Sequence, residues 1–263
     1  MGEKRGIRRL LAVVCLAAGL TAAAVPASAE VQIVGGTRAS TDTYPFVVYL
    51  TTPDGFQFCG GTLAAADKVV TAAHCAKGQQ PDQVLVIAGR DDKKATAKGV
   101  SVAVRSIWIH PRYTDALAGY DMAVLTLSTP VTGYAPLPIA SGADAPSYAE
   151  GVQATIMGWG RTASGGTSSQ YLLEAKVPLV GDAECQKAFT KYNKDLMVCA
   201  GYPQGGTDGC QGDSGGPMVV QGRLIGISSW GEGCGLANKP GVYTRVRAYY
   251  PELARQIEPS WWS

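Results

Sequence analysis

The chain has 263 residues, 46% of them hydrophobic, with 23 Lys and Arg against 21 Asp and Glu, a formal charge of +2. Its first 32 residues hold four basic and two acidic side chains, and without them the balance is 19 against 19. A neutral chain of that size can bury a substantial core, and it has no basic block to draw it to nucleic acid or to an anionic membrane.

The amino terminus reads as an export leader. Lys4, Arg5, Arg8 and Arg9 precede an uncharged run from Leu10 to Val25, and Ala27-Ser28-Ala29 supplies a small-x-small cleavage site. The run is about 16 residues, short of the roughly 20 that span a bilayer. Residues 1–29 are therefore expected to leave as a signal peptide, with 30–32 as a short propeptide and the product secreted.

Strand signals dominate the rest of the chain. Val69-Val70, Met122 to Leu127 and Ala154 to Met157 are short β-branched or alternating runs between Gly, Pro and Ser clusters. Residues 140–147 look like a linker near the middle, and 162–169 like a flexible surface loop. Val219 to Ile225 reads as a hairpin around Gln221-Gly222. Val246, Tyr250, Leu253 and Ile257 share one face of a terminal helix. Pro251 suits only its first turn, and Pro259 stops it. Many short strands with one terminal helix point to all-β sandwiches or barrels.

Cys15 leaves with the leader. Cys59, Cys75, Cys185, Cys199, Cys210 and Cys234 remain, an even set in an exported chain, and so read as disulfides. Spacing alone does not choose among the fifteen possible pairings. Zinc is disfavoured, because no C-x-x-C occurs and only two histidines are present.

Asp208-Gly209-Cys210-Gln211-Gly212-Asp213-Ser214-Gly215-Gly216-Pro217 carries the densest chemical signal. A serine among so many glycines can present its hydroxyl on a tight turn, with backbone N–H groups facing one small volume. Gly212 to Gly216 also fits the G-x-S-x-G elbow of esterases, but that fold places its histidine after the serine. Both His74 and His110 precede Ser214, which removes the elbow reading and disfavours a serine esterase. His74 lies beside Cys75, just after a strand, and suits a general base. His110 lacks such a context and reads as a packing or surface residue. Asp121 opens an apolar strand, where a carboxylate needs a partner; alone it would pass for an ordinary strand-end aspartate.

Six motifs together resemble the trypsin branch of the chymotrypsin-like serine proteases. They are Ile33-Val34-Gly35-Gly36, Thr71-Ala72-Ala73-His74-Cys75, Asp121 to Leu125, Gly212 to Pro217, Ser229-Trp230-Gly231 and Pro240-Gly241-Val242-Tyr243. They stand in that family's order of His, Asp, Ser. The resemblance spans Ile33 to about Ile257 and is nearest to the secreted bacterial trypsins.

That resemblance implies two six-stranded antiparallel β-barrels, over 33–139 and 140–263, with a C-terminal α-helix. It implies Ser214 as nucleophile, His74 as base and then acid, and Asp121 as the orienting carboxylate. The N–H groups of Gly212 and Ser214 would form the oxyanion hole. Ser229 would bond Asp121, and Ser229-Trp230-Gly231 would bind substrate backbone. The implied disulfides are Cys59–Cys75, Cys185–Cys199 and Cys210–Cys234. Asp208 would sit at the base of the primary pocket and select a cationic side chain, with Gly231 and Gly241 keeping the slot open. Trypsins usually carry Ser or Ala where this chain has Gly209, and often Tyr where it has Phe189. Without a hydroxyl near the floor a lysine ammonium loses a partner, whereas an arginine fork still reaches Asp208. Arginine is therefore expected over lysine. Cleavage before Ile33 would free an ammonium to pair with Asp213. That cut follows Gln32, so a different, activating protease is expected to make it. The remaining expectations are protein or peptide substrates, a monomer, no metal and no cofactor.

Overall fold

A computed structural model describes residues 1–2, 33 and 35–258. The leader and its cleavage site, the 30–32 tripeptide and Pro259 lie outside the described residues. The fold belongs to the unit from Val31 to Ser263.

The first barrel is closed by six antiparallel strands in the spatial order β2-β3-β4-β7-β6-β5. These are β2 (Val47–Thr51), β3 (Gln57–Ala65), β4 (Lys68–Thr71), β5 (Leu85–Ala88), β6 (Val100–Ile109) and β7 (Ala123–Leu127). Leu63, Val69 and Val86 point into it with no exposed surface. Each such side chain contributes about 1.5–3 kcal/mol on leaving water. Closure also removes the free edges through which sheets aggregate.

The second barrel uses β8 (Gln153–Gly158), β9 (Leu173–Val180), β10 (Met197–Ala200), β11 (Pro217–Val220), β12 (Arg223–Trp230) and β13 (Gly241–Arg245). Its order is β9-β10-β13-β12-β11-β8, closed by the pairing of β8 with β9. A two-residue strand, β1 (Thr37–Arg38), lies on the free edge of β9 at Leu173–Glu174. The segment after Ile33 is thus tied to the second barrel although it precedes the first. Between the barrels, Tyr49 of β2 packs on Trp159 just beyond β8, with ring centroids 4.8 Å apart.

The hairpin expected at Gln221-Gly222 joins β11 to β12, and both turn residues have positive φ (48° and 71°), the requirement of a type I′ turn. The terminal helix, α3 (Tyr250–Ile257), has Pro251 in its first turn and Leu253 fully buried, and it lies against β7. Val246 belongs to a preceding 3₁₀ turn, so its place on the apolar face comes before the α-helix begins. The linker expected at 140–147 is ordered. Gly142–Tyr148 forms 3₁₀ turns because Ser141 and Asp144 make a reciprocal capping box and Tyr148 Oη donates to Ile225 O at 2.7 Å.

Three disulfides cross-link the described residues: Cys59–Cys75, Cys185–Cys199 and Cys210–Cys234. They join β3 to α1 (Ala73–Ala76), α2 (Asp182–Ala188) to β10, and the loop after β10 to the loop after β12. With separations of 16, 14 and 24 residues, each contributes about 3 kcal/mol by chain-entropy arguments.

Candidate active site

His74 sits in the single turn of α1. Ala73, Cys75 and Ala76 are buried around it, and the Cys75 bridge to β3 pins the turn. The ring keeps 28% of its surface open. Asp121, wholly buried just before β7, holds it at two points. One carboxylate oxygen accepts the His74 backbone N–H at 2.9 Å, and the other meets ring Nδ1 at 2.8 Å. That second oxygen also accepts the Ser229 hydroxyl at 2.5 Å, and the Asp121 carbonyl accepts from Thr244 Oγ1 at 2.8 Å. A buried carboxylate is tolerable only when so satisfied. With Nδ1 committed as a donor, the neutral ring carries its lone pair on Nε2.

His110 is a packing histidine. It is 4% exposed, stacks on Tyr120 at 4.9 Å, and burial pulls its pKa down. Tyr120 is held at φ 57°, and its N–H donates to Tyr249 Oη at 3.1 Å, which braces the residue before Asp121.

Ser214 lies on a tight turn. Asp213 N–H bonds Cys210 O at 2.9 Å, Gly216 N–H bonds Asp213 O at 2.8 Å, and Gly215 N–H bonds Ser228 O at 2.8 Å. The turn docks on the first barrel: Gly60 N–H donates to Ser214 O at 2.8 Å. Gly215 has φ 79°, and a Cβ there would fall 2.2 Å from Thr71 Oγ1 and 3.1 Å from Ala72 N. Only glycine lets this turn approach the Thr71-Ala72 segment that leads into His74. Among the described residues, neither the Gly212 nor the Ser214 N–H has a protein acceptor.

Asp213 points away from Ser214 into the second barrel. Its two oxygens accept from Gly160 N at 2.7 Å and Cys210 N at 2.9 Å. Burial pushes its carboxyl up to about 6, while those two amides and the Lys93 ammonium pull the other way. Ile33, also buried, lines a small cavity with Asp213, Ile156 and Tyr243.

A second cavity of about 210 Å³ opens beside Ser214, with Asp208, Gly209, Trp230, Gly231 and Gly241 in its walls. Asp208 is 5% exposed and accepts from Gly235 N at 3.1 Å. Burial raises its carboxyl to about 7, against hydrogen bonds from the Gly235 and Gly209 amides. A Cβ on Gly241 would stand 2.8 Å from Asp208 Oδ1, so glycine is what leaves that oxygen accessible. A Cβ on Gly209 would meet nothing nearer than Tyr243 Oη at 3.6 Å. Position 209 therefore has room for a small side chain that this glycine does not supply. Trp230 packs edge-on against Phe189 at 5.0 Å, and the Lys239 ammonium lies over the Phe189 ring at 5.0 Å.

The zinc reading loses its ligands. The sulfurs of Cys59 and Cys75, close to the His74 ring, are joined in a disulfide and offer no thiolate. Sequence reasoning missed Gly160, Thr244, Gln57 and Lys93. None carries a local signature, because each reaches the site from another strand or loop.

Comparison with known proteins places the chain in a family. A family model described as Trypsin matches residues 33–252. The chain is 53% identical over 225 residues to a trypsin from Saccharopolyspora erythraea, covering 86% of this chain and 98% of that protein. It is 40% identical over 261 residues to trypsin eta from Drosophila melanogaster, covering 95% and 97%.

Proposed function

The chain belongs to the trypsin family of serine proteases, and on that premise we propose that it is a secreted endopeptidase cutting after arginine in preference to lysine. The supporting observation is a buried carboxylate, Asp208, in the same 210 Å³ cavity whose wall carries Ser214. A side chain with a cation at its end can reach Asp208 while its own carbonyl carbon lies against the Ser214 hydroxyl. Neutral side chains would leave that charge unpaired.

The reaction follows from the groups around that carbon. His74 takes the Ser214 proton as the hydroxyl adds to the carbonyl, and Asp121 stabilises the imidazolium while holding Nδ1–H. The N–H groups of Gly212 and Ser214 receive the oxyanion; one such donor is worth about 3–4 kcal/mol of barrier. His74 then protonates the leaving amine, and an acyl-enzyme remains on Ser214. Water, activated by the same imidazole, releases the acid. Ser229, beside Asp121, opens the Ser229-Trp230-Gly231 segment that takes the substrate backbone.

Activation rests on Ile33. Its nitrogen lies in a peptide bond in the uncut chain; a cut after Gln32 would place an ammonium by Asp213, which burial already disfavours as a lone charge. Gln32 does not suit an arginine-selective pocket, so another protease makes this cut. Precursor that matures unaided while its Ser214→Ala form does not would reverse that assignment. Export rests on the leader motif, and no described helix is long and apolar enough to cross a membrane.

The test is a matched pair of arginyl and lysyl peptide substrates, run with wild type, Asp208→Ser and Ser214→Ala. Equal rates on the pair remove the arginine preference. Basic selectivity that survives Asp208→Ser removes the pocket assignment.

A further inference from the structure

The back of the oxyanion turn is held by two residues that take no part in acylation or hydrolysis. Gln57 Nε2 donates to Gly212 O at 3.2 Å, and Lys93 Nζ donates to Gln57 Oε1 at 2.7 Å. A lysine can only donate and a carbonyl can only accept, so one orientation of the Gln57 amide satisfies both ends. The other peptide of Gly212 is pinned as well, since Gln211 O accepts from Arg161 N at 2.8 Å. Gly212 is thus gripped on both sides at φ 98°, a conformation a free glycine leaves readily.

Lys93 is itself anchored. Its backbone N–H donates to Gln170 O at 3.0 Å, and the Gln170 side chain bonds Asp92. Burial lowers the ammonium to about 8, opposed by the Asp213 charge, and its bond to Gln57 places this cation at the rear of the same turn.

We propose that Gln57 and Lys93 are positioning residues that clamp Gly212 from behind and keep its N–H aimed at the oxyanion. The proposal rests on Ser214 and His74 acting as a serine protease. The clamp acts when charge develops on the substrate oxygen, so it should affect turnover and leave ground-state binding in the Asp208 pocket alone.

The experiment uses the full chain, matured to an Ile33 amino terminus, with an arginyl p-nitroanilide as substrate and benzamidine as a probe of the pocket. Gln57→Leu is expected to lower kcat about tenfold, less than loss of an oxyanion donor itself, with KM and benzamidine affinity within about twofold of wild type. Gln57→Glu can still pair with Lys93 but cannot donate to Gly212 O, and it should lose at least as much. This near-isosteric variant carries the test if the leucine variant does not fold. Lys93→Met should show a smaller loss of the same kind, restored by Lys93→Arg. Unchanged kcat in both Gln57 variants overturns the proposal, as does a parallel loss of kcat and benzamidine affinity. A wild-type chain that does not turn over, or a Ser214→Ala chain that does, is a separate result that brings down the catalytic reading and the clamp with it.

Discussion

Asp121 grips His74 twice, through the backbone N–H at 2.9 Å and through ring Nδ1 at 2.8 Å. The two contacts fix both the position of the turn and the rotation of the ring, which a single bond could not do. Asp121→Asn preserves the shape but puts an N–H₂ where an acceptor is needed. With the wrong tautomer held, kcat should fall about 10⁴-fold, while benzamidine binds as before. A loss below tenfold at neutral pH would show that His74 does not depend on this carboxylate.

The pH dependence of binding follows from Asp208. Burial raises its carboxyl to about 7, so the empty pocket is charged only above that pH. Benzamidine affinity should fall about tenfold per pH unit below about 7 and level off above it. An affinity that is flat between pH 5.5 and 8 contradicts this.

Folding responds to the same group with the opposite sign. Native Asp208 keeps its proton to higher pH than the unfolded chain, in which an aspartate titrates near 3.9. The native state is penalised as pH rises from about 4 to about 7, and the penalty is complete above 7. Asp208→Ser should raise the unfolding midpoint at pH 8 by a few degrees and leave it unchanged below pH 4. Calorimetry of the two proteins at both pH values decides the matter; a variant less stable at pH 8 would refute it.

Gly209 tests the arginine preference. A Cβ there makes only ordinary contacts, the nearest at 3.6 Å, so Gly209→Ser should fold normally. Its hydroxyl can receive a lysine ammonium at the pocket floor. The ratio of kcat/KM for lysyl over arginyl substrates should rise about tenfold. A ratio that stays put, with the pocket intact by benzamidine binding, would mean the missing hydroxyl is not the cause.

Gly215 tests the docking of the serine turn on the first barrel. Alanine there must accommodate a Cβ 2.2 Å from Thr71 Oγ1 and a φ of 79°. Gly215→Ala should cost about 2–4 kcal/mol of stability from overlap and backbone strain combined, measurable by denaturant unfolding, with turnover lost alongside. Full activity with wild-type stability would place the turn elsewhere.

Much of this architecture was legible along the chain. The Gln221-Gly222 hairpin, the short apolar strands and the Pro251 helix start depend on backbone preferences over a few residues, and the sequence states them directly. The family motifs supplied roles for His74, Asp121 and Ser214 that spacing alone did not; Asp121 by itself looked like any strand-end aspartate. The 140–147 segment does lie between β7 and β8, but its Ser, Gly, Ala and Pro suit both a loose linker and a capped turn. Only the Ser141–Asp144 box and the Tyr148 anchor separate the two.

By itself, then, the sequence determined the all-β class of the fold, which is written in residue types and near-neighbour spacing, and through its family motifs it proposed the reacting groups and the sign of the pocket charge. Tertiary structure alone decided that Asp121 would meet His74 across 47 residues and Ser229 across 108, and that Gln57 would reach Gly212 across 155. The first meeting depends on β4 pairing with β7 inside one barrel, the other two on how the two closed barrels settle against each other. Barrel closure and packing are collective properties of many buried side chains, and no short stretch of chain encodes them.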